Sequence, residues 1–136
     1  MLISGVAADK NVAKIRVAGL GNDPESTFRL LNLLDRNNLN IDVMIQSLGK
    51  DGTKSVSFTV AKPDMLRTID VLNDNKDSLG IKKLDYVENV AKISVIGAGV
   101  RSHSGVAAKM FGALANAGIN TEMITTSEIR ITALID

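Results

Sequence analysis

The chain has 136 residues and a formal net charge of +1, and 45% of its residues are hydrophobic, 23% charged and 3% aromatic. Mixed charge and scarce aromatic rings exclude the basic patch and stacking surfaces of a nucleic-acid-binding protein, and no apolar run approaches the roughly 20 residues that span a membrane. The absence of cysteine excludes disulfides and thiolate metal sites, and with no signal-peptide pattern we expect a cytoplasmic protein.

The first half of the chain has the pattern of a six-element unit. Its predicted elements, in chain order, are a strand at 14–18, a helix from Pro24 that ends at Asn37, strands at 39–48 and 55–60, a helix from Pro63 and a strand at 81–87. Gly19 closes the first strand, and Asp23 followed by Pro24 has the chemistry of a helix start. The dipeptide Asp51-Gly52 indicates a hairpin between the second and third strands.

Both predicted helices carry an apolar stripe at helical spacing. The stripes consist of Leu30, Leu31 and Leu34 in the first helix, and of Leu66, Ile69 and Leu72 in the second. The third strand alternates apolar and polar residues, which indicates that one face of the sheet is buried. The βαββαβ order therefore predicts a ferredoxin-like unit, an antiparallel sheet with two helices on one face.

The second half of the chain repeats the first. The pentapeptide Asn-Val-Ala-Lys-Ile at 11–15 recurs without change at 89–93, and the tetrapeptide at 39–42 corresponds to that at 119–122. A duplicated unit of this size is typical of a small domain used twice, with two equivalent sites. We therefore expect an α+β protein with two ferredoxin-like units in tandem.

The second copy lacks two elements. Its predicted elements are a strand at 92–96, a helix at 104–117, and strands at 120–126 and 129–135. No second helix or last strand follows before Asp136, so apolar surface would be exposed. Three explanations are open: the segment Leu2–Val6 supplies the missing strand, a partner covers the apolar face, or the sequence given is cut short. We favour the first and the third together. The predicted domains are 12–88, and 1–11 with 89–136.

Patterns for catalysis and cofactor binding are incomplete. His103 is the single histidine, and without a cysteine it gives no nucleophile–base pair or zinc cluster. Gly97-Ala98-Gly99 follows a strand and opens a helix, but Ser102 stands where a dinucleotide-binding motif has its third glycine, and no Gly-Lys phosphate-binding sequence follows. We therefore predict no catalytic residue, metal or cofactor in this chain.

The duplicated junction of strand, glycine and helix has a chemical meaning of its own. Glycine lets the backbone approach a ligand closely, and a helix N-terminus offers free N–H groups to a carboxylate. The next strand carries an acid at the same place in both copies, Asp42 and Glu122, which suits an ammonium group. Together these groups match the two charges of a free amino acid. The alternative is that the glycines only make tight turns while both acids are solvated.

Five stretches of the chain are similar to one known family. Residues 5–10, 13–17 and 40–46 in the first half, and 97–107 and 124–131 in the second, resemble the regulatory region of aspartate kinases. The last stretch, Ile-Thr-Thr-Ser-Glu-Ile-Arg-Ile, and residues 97–107 are the most specific. The resemblance implies tandem ACT domains, which have the βαββαβ plan, and an N-terminal strand that completes the second unit.

The resemblance also implies two effector sites. The first is similar to a threonine site, completed across a dimer by the last two of its residues: Asn22, Asp23, Glu25, Thr27, Asn40, Ile41, Asp42, Gln46, Asn120 and Thr121. The second is similar to a lysine-associated site: Ser102, His103, Gly105, Val106, Ala107, Glu122, Ser127 and Glu128. Asn22, Glu25 and Thr27 depart from the family pattern, which has an acid, a glycine and an alanine there. The bulk of Glu25 and Thr27 is predicted to crowd an effector.

Membership of this family would make the chain a regulatory part that binds lysine, and threonine at the first site, as feedback inhibitors. The expected partners are a free amino acid, a second copy in a homodimer formed through the ACT domains, and the aspartate kinase catalytic domain or subunit. The resemblance places ATP and magnesium in that catalytic domain, so this chain alone should not phosphorylate aspartate. Two alternatives are an ACT-type sensor of another metabolic enzyme and a dimerisation module that binds no effector.

Overall fold

The computed structural model describes residues 5–96, 103–126 and 130–136. The chain divides into two compact units: the first unit is Asn11–Glu88, and the second unit combines the residues up to Lys10 with Asn89–Asp136. The strands β1 (Gly5–Leu20) and β4 (Lys83–Ile96) each contribute residues to both units. The strands predicted separately at 81–87 and 92–96 are therefore parts of a single strand.

The first unit has the element order expected from its sequence. Besides its parts of β1 and β4 it contains α1 (Pro24–Arg36), β2 (Met44–Leu48), β3 (Lys54–Ala61), a 3-10 turn (Lys62–Asp64), α2 (Met65–Asp74) and α3 (Lys76–Leu79). Its strands are ordered β2-β3-β1-β4, with β3 antiparallel to β2 and β1. This is the ferredoxin-like order of strands.

Apolar side chains from the sheet and helices form one core in the first unit. Ile15 and Val17 of β1 and Val56 and Phe58 of β3 are fully buried in it. These residues occupy alternate positions along their strands, so they project from the face that the helices cover. Burying a side chain of this size stabilises the fold by about 1.5–3 kcal/mol.

The buried face of α1 is shifted from the predicted stripe. Leu30, Leu33 and Leu34 are buried, whereas Leu31 is only half-buried. Phe28, an apolar residue of the same helix, is 66% exposed. The sheet therefore selects one of two overlapping apolar stripes that the leucine-rich sequence offers.

The buried face of α2 also differs from the prediction. Met65, Thr68 and Leu72 are buried, and the predicted core residue Leu66 is 68% exposed. Thr68 is accommodated inside because its hydroxyl donates a hydrogen bond of 2.7 Å to the carbonyl oxygen of Asp64. A polar side chain satisfied by its own helix replaces the leucine that hydrophobicity alone favours.

The second strand is shorter than predicted. It begins at Met44 because Leu39 instead closes the end of α1, donating its N–H to a carbonyl of the last helical turn at 2.9 Å. Asn38, with a φ of +56°, turns the backbone at this point. The N–H of Val43 donates to Thr59 Oγ1 at 3.0 Å. Since this acceptor is a side chain, the regular ladder starts one residue later.

The second unit is completed by the N-terminal strand. Besides its parts of β1 and β4 it contains α4 (His103–Asn116), β5 (Thr121–Thr126) and β6 (Arg130–Ile135). Its strands are ordered β1-β4-β6-β5, so β1 has the edge position that β4 has in the first unit. The predicted α+β fold of two ferredoxin-like units is confirmed. Residues 2–4 of the predicted N-terminal strand lie outside the described residues.

In its described residues the second unit has one helix where the first unit has α1 and α2. Beside α4 lies an apolar cavity of about 330 Å³. The residues that line it include Val6, Ile93, Val95, Val106, Met110 and Leu114. Val6 is 69% exposed. This is the apolar surface expected where the second copy lacks a helix.

Candidate functional site

The junction of β1 and α1, residues 19–27, is called the first corner below. Gly19 has a φ of +85°, and a Cβ atom at this position would lie 2.5 Å from the Cβ atom of Lys82. Both the left-handed backbone and the close contact require glycine. The pairing of β1 with β3 shifts register between Ala18 and Leu20, so the strand ends here and the chain turns toward the helix.

Asp23 caps α1, as predicted. Its Oδ1 atom accepts a hydrogen bond of 2.8 Å from the Ser26 N–H, and the Ser26 hydroxyl donates to the same carboxylate at 2.9 Å. The bonds from the Ser26 backbone and side chain lower the pKa of Asp23, and the positive charges of Arg29 and Lys54 lower it further. Pro24 follows at the first helical position. The carboxylate therefore holds the shape of the first corner.

A buried lysine lies beneath the first corner. Lys54, at the start of β3, is 8% exposed, and its Nζ donates to the carbonyl oxygen of Asp23 at 2.7 Å and to Thr27 Oγ1 at 3.4 Å. Thr27 Oγ1 in turn donates to Gln46 Oε1 at 2.6 Å. These bonds join α1, β2 and β3, and they bring two predicted site residues, Thr27 and Gln46, into contact.

The acids at equivalent places in the two copies both lie where strand pairing is irregular. In the second unit the pairing of β5 with β6 shifts register at Glu122, which is an extra residue on its strand. In the first unit Thr59 faces two residues: its carbonyl accepts from the Asp42 N–H at 3.1 Å and its N–H donates to the Val43 carbonyl at 2.9 Å. Such β-bulges re-aim side chains and are frequent beside binding sites.

The residues predicted for the first site belong to both units. Eight belong to the first unit, namely Asn22, Asp23, Glu25, Thr27, Asn40, Ile41, Asp42 and Gln46, and Asn120 and Thr121 belong to the second. Lys54 links Asp23 to Thr27, and Thr27 contacts Gln46. Ile41 packs against the core, whereas Asn22, Glu25 and Asn40 are exposed.

The residues predicted for the second site are described only in part. Val106 is buried and Ala107 half-buried in α4, and Glu122 is half-buried in β5. The backbone of His103 and Gly105 belongs to the first turn of α4. The remaining predicted positions, Ser102, Ser127 and Glu128, lie outside the described residues, as does the sequence Gly97-Ala98-Gly99.

The groups gathered at the first corner are hydrogen-bond donors, acceptors and charges. In the described ranges no three His, Cys, Asp or Glu side chains are grouped so that they could hold a metal ion. No helix within those ranges has both the length and the apolar character needed to cross a membrane.

Sequence and fold match proteins of one family. The ACT domain model matches residues 93–136. The aspartokinase of Pseudomonas aeruginosa is 36% identical over 135 residues, which are 99% of this chain and 33% of that protein. The crystal structure of aspartokinase alpha and beta subunits matches with a TM-score of 0.90 and 41% identity, covering 99% of this chain and 88% of that one. The chain belongs to the aspartokinase family.

Within that family the chain corresponds to the regulatory region. The regulatory subunit of aspartate kinase from Thermus thermophilus, in its ligand-free form, matches with a TM-score of 0.89 and 31% identity, covering 99% of this chain and 89% of that one. The chain spans about a third of the length of the curated aspartokinases that it matches. The resemblance to the aspartate kinase regulatory region, with its ACT fold, is confirmed.

Lys54 of this aspartokinase regulatory region was not predicted from the sequence to lie at the first corner. A lysine two residues after the Asp51-Gly52 turn is expected to be solvated. Lys54 nevertheless has the same parity as Val56 and Phe58, which are buried on the helix-covered face of β3. Extending the alternation of that strand by one step would have placed Lys54 inside.

Proposed function

We propose that this chain is the amino-acid-sensing part of an aspartate kinase and mediates feedback inhibition, by lysine and/or threonine, of the ATP-dependent phosphorylation of L-aspartate. The observation that carries the proposal is the repeated placement of an acid at irregular strand pairing after the first helix of each unit: Asp42 lies two residues before β2, and Glu122 lies in β5. Membership of the aspartokinase family supports it.

The proposed ligand chemistry follows from charge. A helix N-terminus suits the carboxylate of an amino acid, and an acid on the neighbouring strand suits its ammonium group. Lysine carries a second ammonium and needs a further acid, for which Glu122 and Glu128 are the candidates. We assign threonine to the site that includes Thr27 and Gln46, and lysine to the site that includes Glu122.

The proposed mechanism is allosteric. The two units act as two ACT domains of a homodimer, and effector binding favours a dimer arrangement in which the attached kinase domain, which holds ATP and magnesium in the cytoplasm, is poorly active. Coupling of this kind typically amounts to about 1–3 kcal/mol and is reciprocal for binding. Kinase substrates should therefore weaken effector binding in the whole enzyme by the same factor.

One observation favours a second candidate function, a dimerisation module that binds no effector. The Thr27 hydroxyl already donates to Gln46 at 2.6 Å, so the chain satisfies part of the first site with its own side chain. Family patterns have the smaller alanine at the position of Thr27. Under this alternative Thr27→Ala would not create affinity for any amino acid.

Thermal shift of the chain against the twenty amino acids tests the proposal. A ligand at a hundred times its dissociation constant stabilises the folded state by about 2.7 kcal/mol, so lysine or threonine should raise the Tm by several degrees. Glu122→Gln should abolish the lysine effect, while the control Glu88→Gln, an exposed acid of β4, should leave it unchanged. If no amino acid changes the Tm, the dimerisation module is the better description.

A further inference from the structure

The segment that joins α1 to β2 carries the acid of the first unit. It consists of residues 37–43 and is called the α1–β2 connection below. At the helix end, the Leu39 N–H donates to the Leu34 carbonyl oxygen at 2.9 Å. At the strand end, the Asp42 N–H donates to the Thr59 carbonyl oxygen at 3.1 Å. The position of Asp42 therefore depends on how both ends of this connection are held.

An arginine of the second helix reaches the α1–β2 connection. Arg67, in the first turn of α2, donates from Nη2 to the carbonyl oxygen of Asn37 at 2.8 Å and to that of Asn38 at 3.1 Å. The two acceptors lie 30 and 29 residues earlier in the chain. These hydrogen bonds therefore join the connection to an element that is distant in sequence.

The residue between the two bonded carbonyls has an unusual backbone conformation. Asn38 has a φ of +56°, in the left-handed region that is disfavoured for residues with a Cβ atom. The Asn37 carbonyl belongs to the peptide plane before Asn38, and the Asn38 carbonyl belongs to the plane after it. Because one nitrogen of Arg67 bonds to both planes, it restrains both φ and ψ of Asn38. Arg67 thus fixes the residue at which the chain leaves the helix.

The end of α1 also attracts a positive charge. The last carbonyl oxygens of a helix lack partners within the helix and carry partial negative charge. A guanidinium brings to them a positive charge and N–H donors in a rigid arrangement. Arg36, in the last turn of α1, places the same charge at the same helix end, and it is exposed. Comparing Arg67 with Arg36 therefore separates the effect of charge from that of the two hydrogen bonds.

The path from Asn38 to the acid is short. Three residues separate Asn38 from Asp42. Of these, Leu39 is 3% exposed and Ile41 packs against the core of the first unit. A change in chain direction at Asn38 is therefore transmitted to Asp42, since the connection has no long loop that could absorb it.

We propose that Arg67 is a positioning residue for the first acid: it holds the peptide planes on both sides of Asn38 and thereby keeps Asp42 where an effector ammonium meets it. An acid that is already held in its binding position loses less conformational freedom when a ligand arrives. The identity of the ligand rests on the proposed function; the hold of Arg67 on the connection does not.

The first test uses the 136-residue chain without ligand. Amide hydrogen exchange followed by NMR measures how readily individual hydrogen bonds open. In Arg67→Met the amides of Leu39 and Asp42 should exchange at least threefold faster than in the wild type. The amide of Ile81, which donates to the Lys76 carbonyl oxygen at 2.9 Å in a different connection, should exchange at the wild-type rate. Unchanged exchange at Leu39 and Asp42 would overturn the inference.

Two further variants separate the hydrogen bonds from the charge. Arg36→Met removes an arginine from the same helix end and should leave exchange in the α1–β2 connection as in the wild type. Arg67→Lys keeps a charge and N–H donors, and it should return the exchange rates to within about twofold of the wild type. If Arg36→Met accelerates exchange as much as Arg67→Met does, charge alone holds the connection and the inference is wrong.

Amino-acid binding then tests the consequence for the first site. L-Threonine and L-lysine are titrated separately, and dissociation constants are read from the amide resonances of Asp42 and Glu122. Arg67→Met should weaken threonine binding at Asp42 at least threefold and leave lysine binding at Glu122 unchanged, whereas a general loss of stability would weaken both. Arg67→Lys should restore threonine binding to within about twofold of the wild type.

The outcomes distinguish this inference from the proposed function. Unchanged threonine affinity in an Arg67→Met variant whose connection exchanges faster contradicts the positioning role, while the proposed function stands. If exchange changes as expected but the wild type binds neither amino acid, the proposed function fails and the hold of Arg67 on the connection stands.

Discussion

Gly19 fixes the path of the backbone at the first corner through two separable effects. One is its left-handed conformation, which Gly80 also adopts, with a φ of +74°. A Cβ atom added at Gly80 would meet only open space. The other is the 2.5 Å approach to Lys82, which Gly80 lacks. Gly19 is therefore a position where the strand end, the helix start and the neighbouring strand constrain one another.

Replacing these glycines by alanine should separate the two effects. Gly80→Ala should lower the free energy of unfolding by about 1–2 kcal/mol, the usual penalty of a left-handed residue with a side chain. Gly19→Ala should lower it by at least about 1 kcal/mol more, because the added carbon collides with Lys82. Urea unfolding measures both. The double variant Gly19→Ala/Lys82→Gly should recover most of the difference; equal losses for the two glycines would contradict the argument.

The cap at Asp23 should make the stability of the first unit depend on pH. The folded-state pKa of Asp23 is lowered by the bonds from Ser26, so its contribution is present at pH values above the unfolded pKa of about 3.9 and is lost as the pH falls through the lower folded pKa. Asp23→Ala should lower the Tm at pH 7, and the difference from the wild type should shrink below about pH 4. Asp35→Ala, near the negative end of the same helix, should cause no loss.

The same residues show which parts of the site could be predicted from sequence. The helix cap was predictable because Asp23, Pro24 and Ser26 interact within one turn, where local chemistry decides. Lys54 could not be assigned in this way, because its partners in α1 lie about 30 residues away along the chain. The alternation of β3 indicates that Lys54 is buried, but its partners depend on how the helix packs on the sheet, which the neighbouring sequence does not indicate.

Among the elements, β4 and β6 are joined by a buried polar pair as well as by apolar contacts. Ser94 and Thr132 lie directly opposite each other in the ladder, and their hydroxyl oxygens are 3.1 Å apart. Both side chains are buried. One hydroxyl therefore donates to the other, and removing either leaves its partner without that bond.

A double-mutant cycle should detect this pair. Ser94→Ala and Thr132→Val should each lower the free energy of unfolding by about 1–3 kcal/mol, and the double variant should cost less than the sum by about 1 kcal/mol. Chemical denaturation of the four proteins gives the coupling. Thr125→Val, on the other neighbour of Thr132 in the sheet, should have a small effect. Strictly additive losses would show that the two hydroxyls do not interact.

The lengths of the elements were harder to predict than their order. The order followed from alternation in the strands and helical spacing in the leucines. The length of β1 could not be predicted in this way, because residues 6–10 of this strand are exposed and include two charged residues. Backbone pairing with β4, rather than an apolar pattern, extends the strand to Gly5. The repeat in the sequence indicated the need for an extra strand, but only the fold shows where its residues begin and end.

At the scale of the whole molecule, the first unit is continuous in sequence and the second is divided. The first unit has its core within residues 13–81. The second unit pairs the start of β1 with the part of β4 that begins at Asn89, 78 residues after the first unit begins at Asn11. The two units should therefore respond differently to changes at the N-terminus.

Deleting residues 1–10 should destabilise the second unit selectively. Amides at 89–96 and 130–135 should lose protection from hydrogen exchange, because β4 loses a neighbour in the sheet, while those at 54–61 should keep theirs. Exchange followed by mass spectrometry measures both groups in one sample. The control Val6→Ser keeps the backbone of the strand and should retain most of the protection. Equal loss in both groups would show that the units unfold as one.

The divided second unit also sets an order of events during synthesis. The edge formed by residues 5–10 is synthesised before the first unit, but its neighbour at 89–96 is made about 80 residues later, roughly 4–16 s at usual translation rates. In that interval the inserted unit has all of its chain and can fold, while the leading edge stays open to chaperones and to other nascent chains. A segment translated before the first unit is thus paired only after that unit is complete.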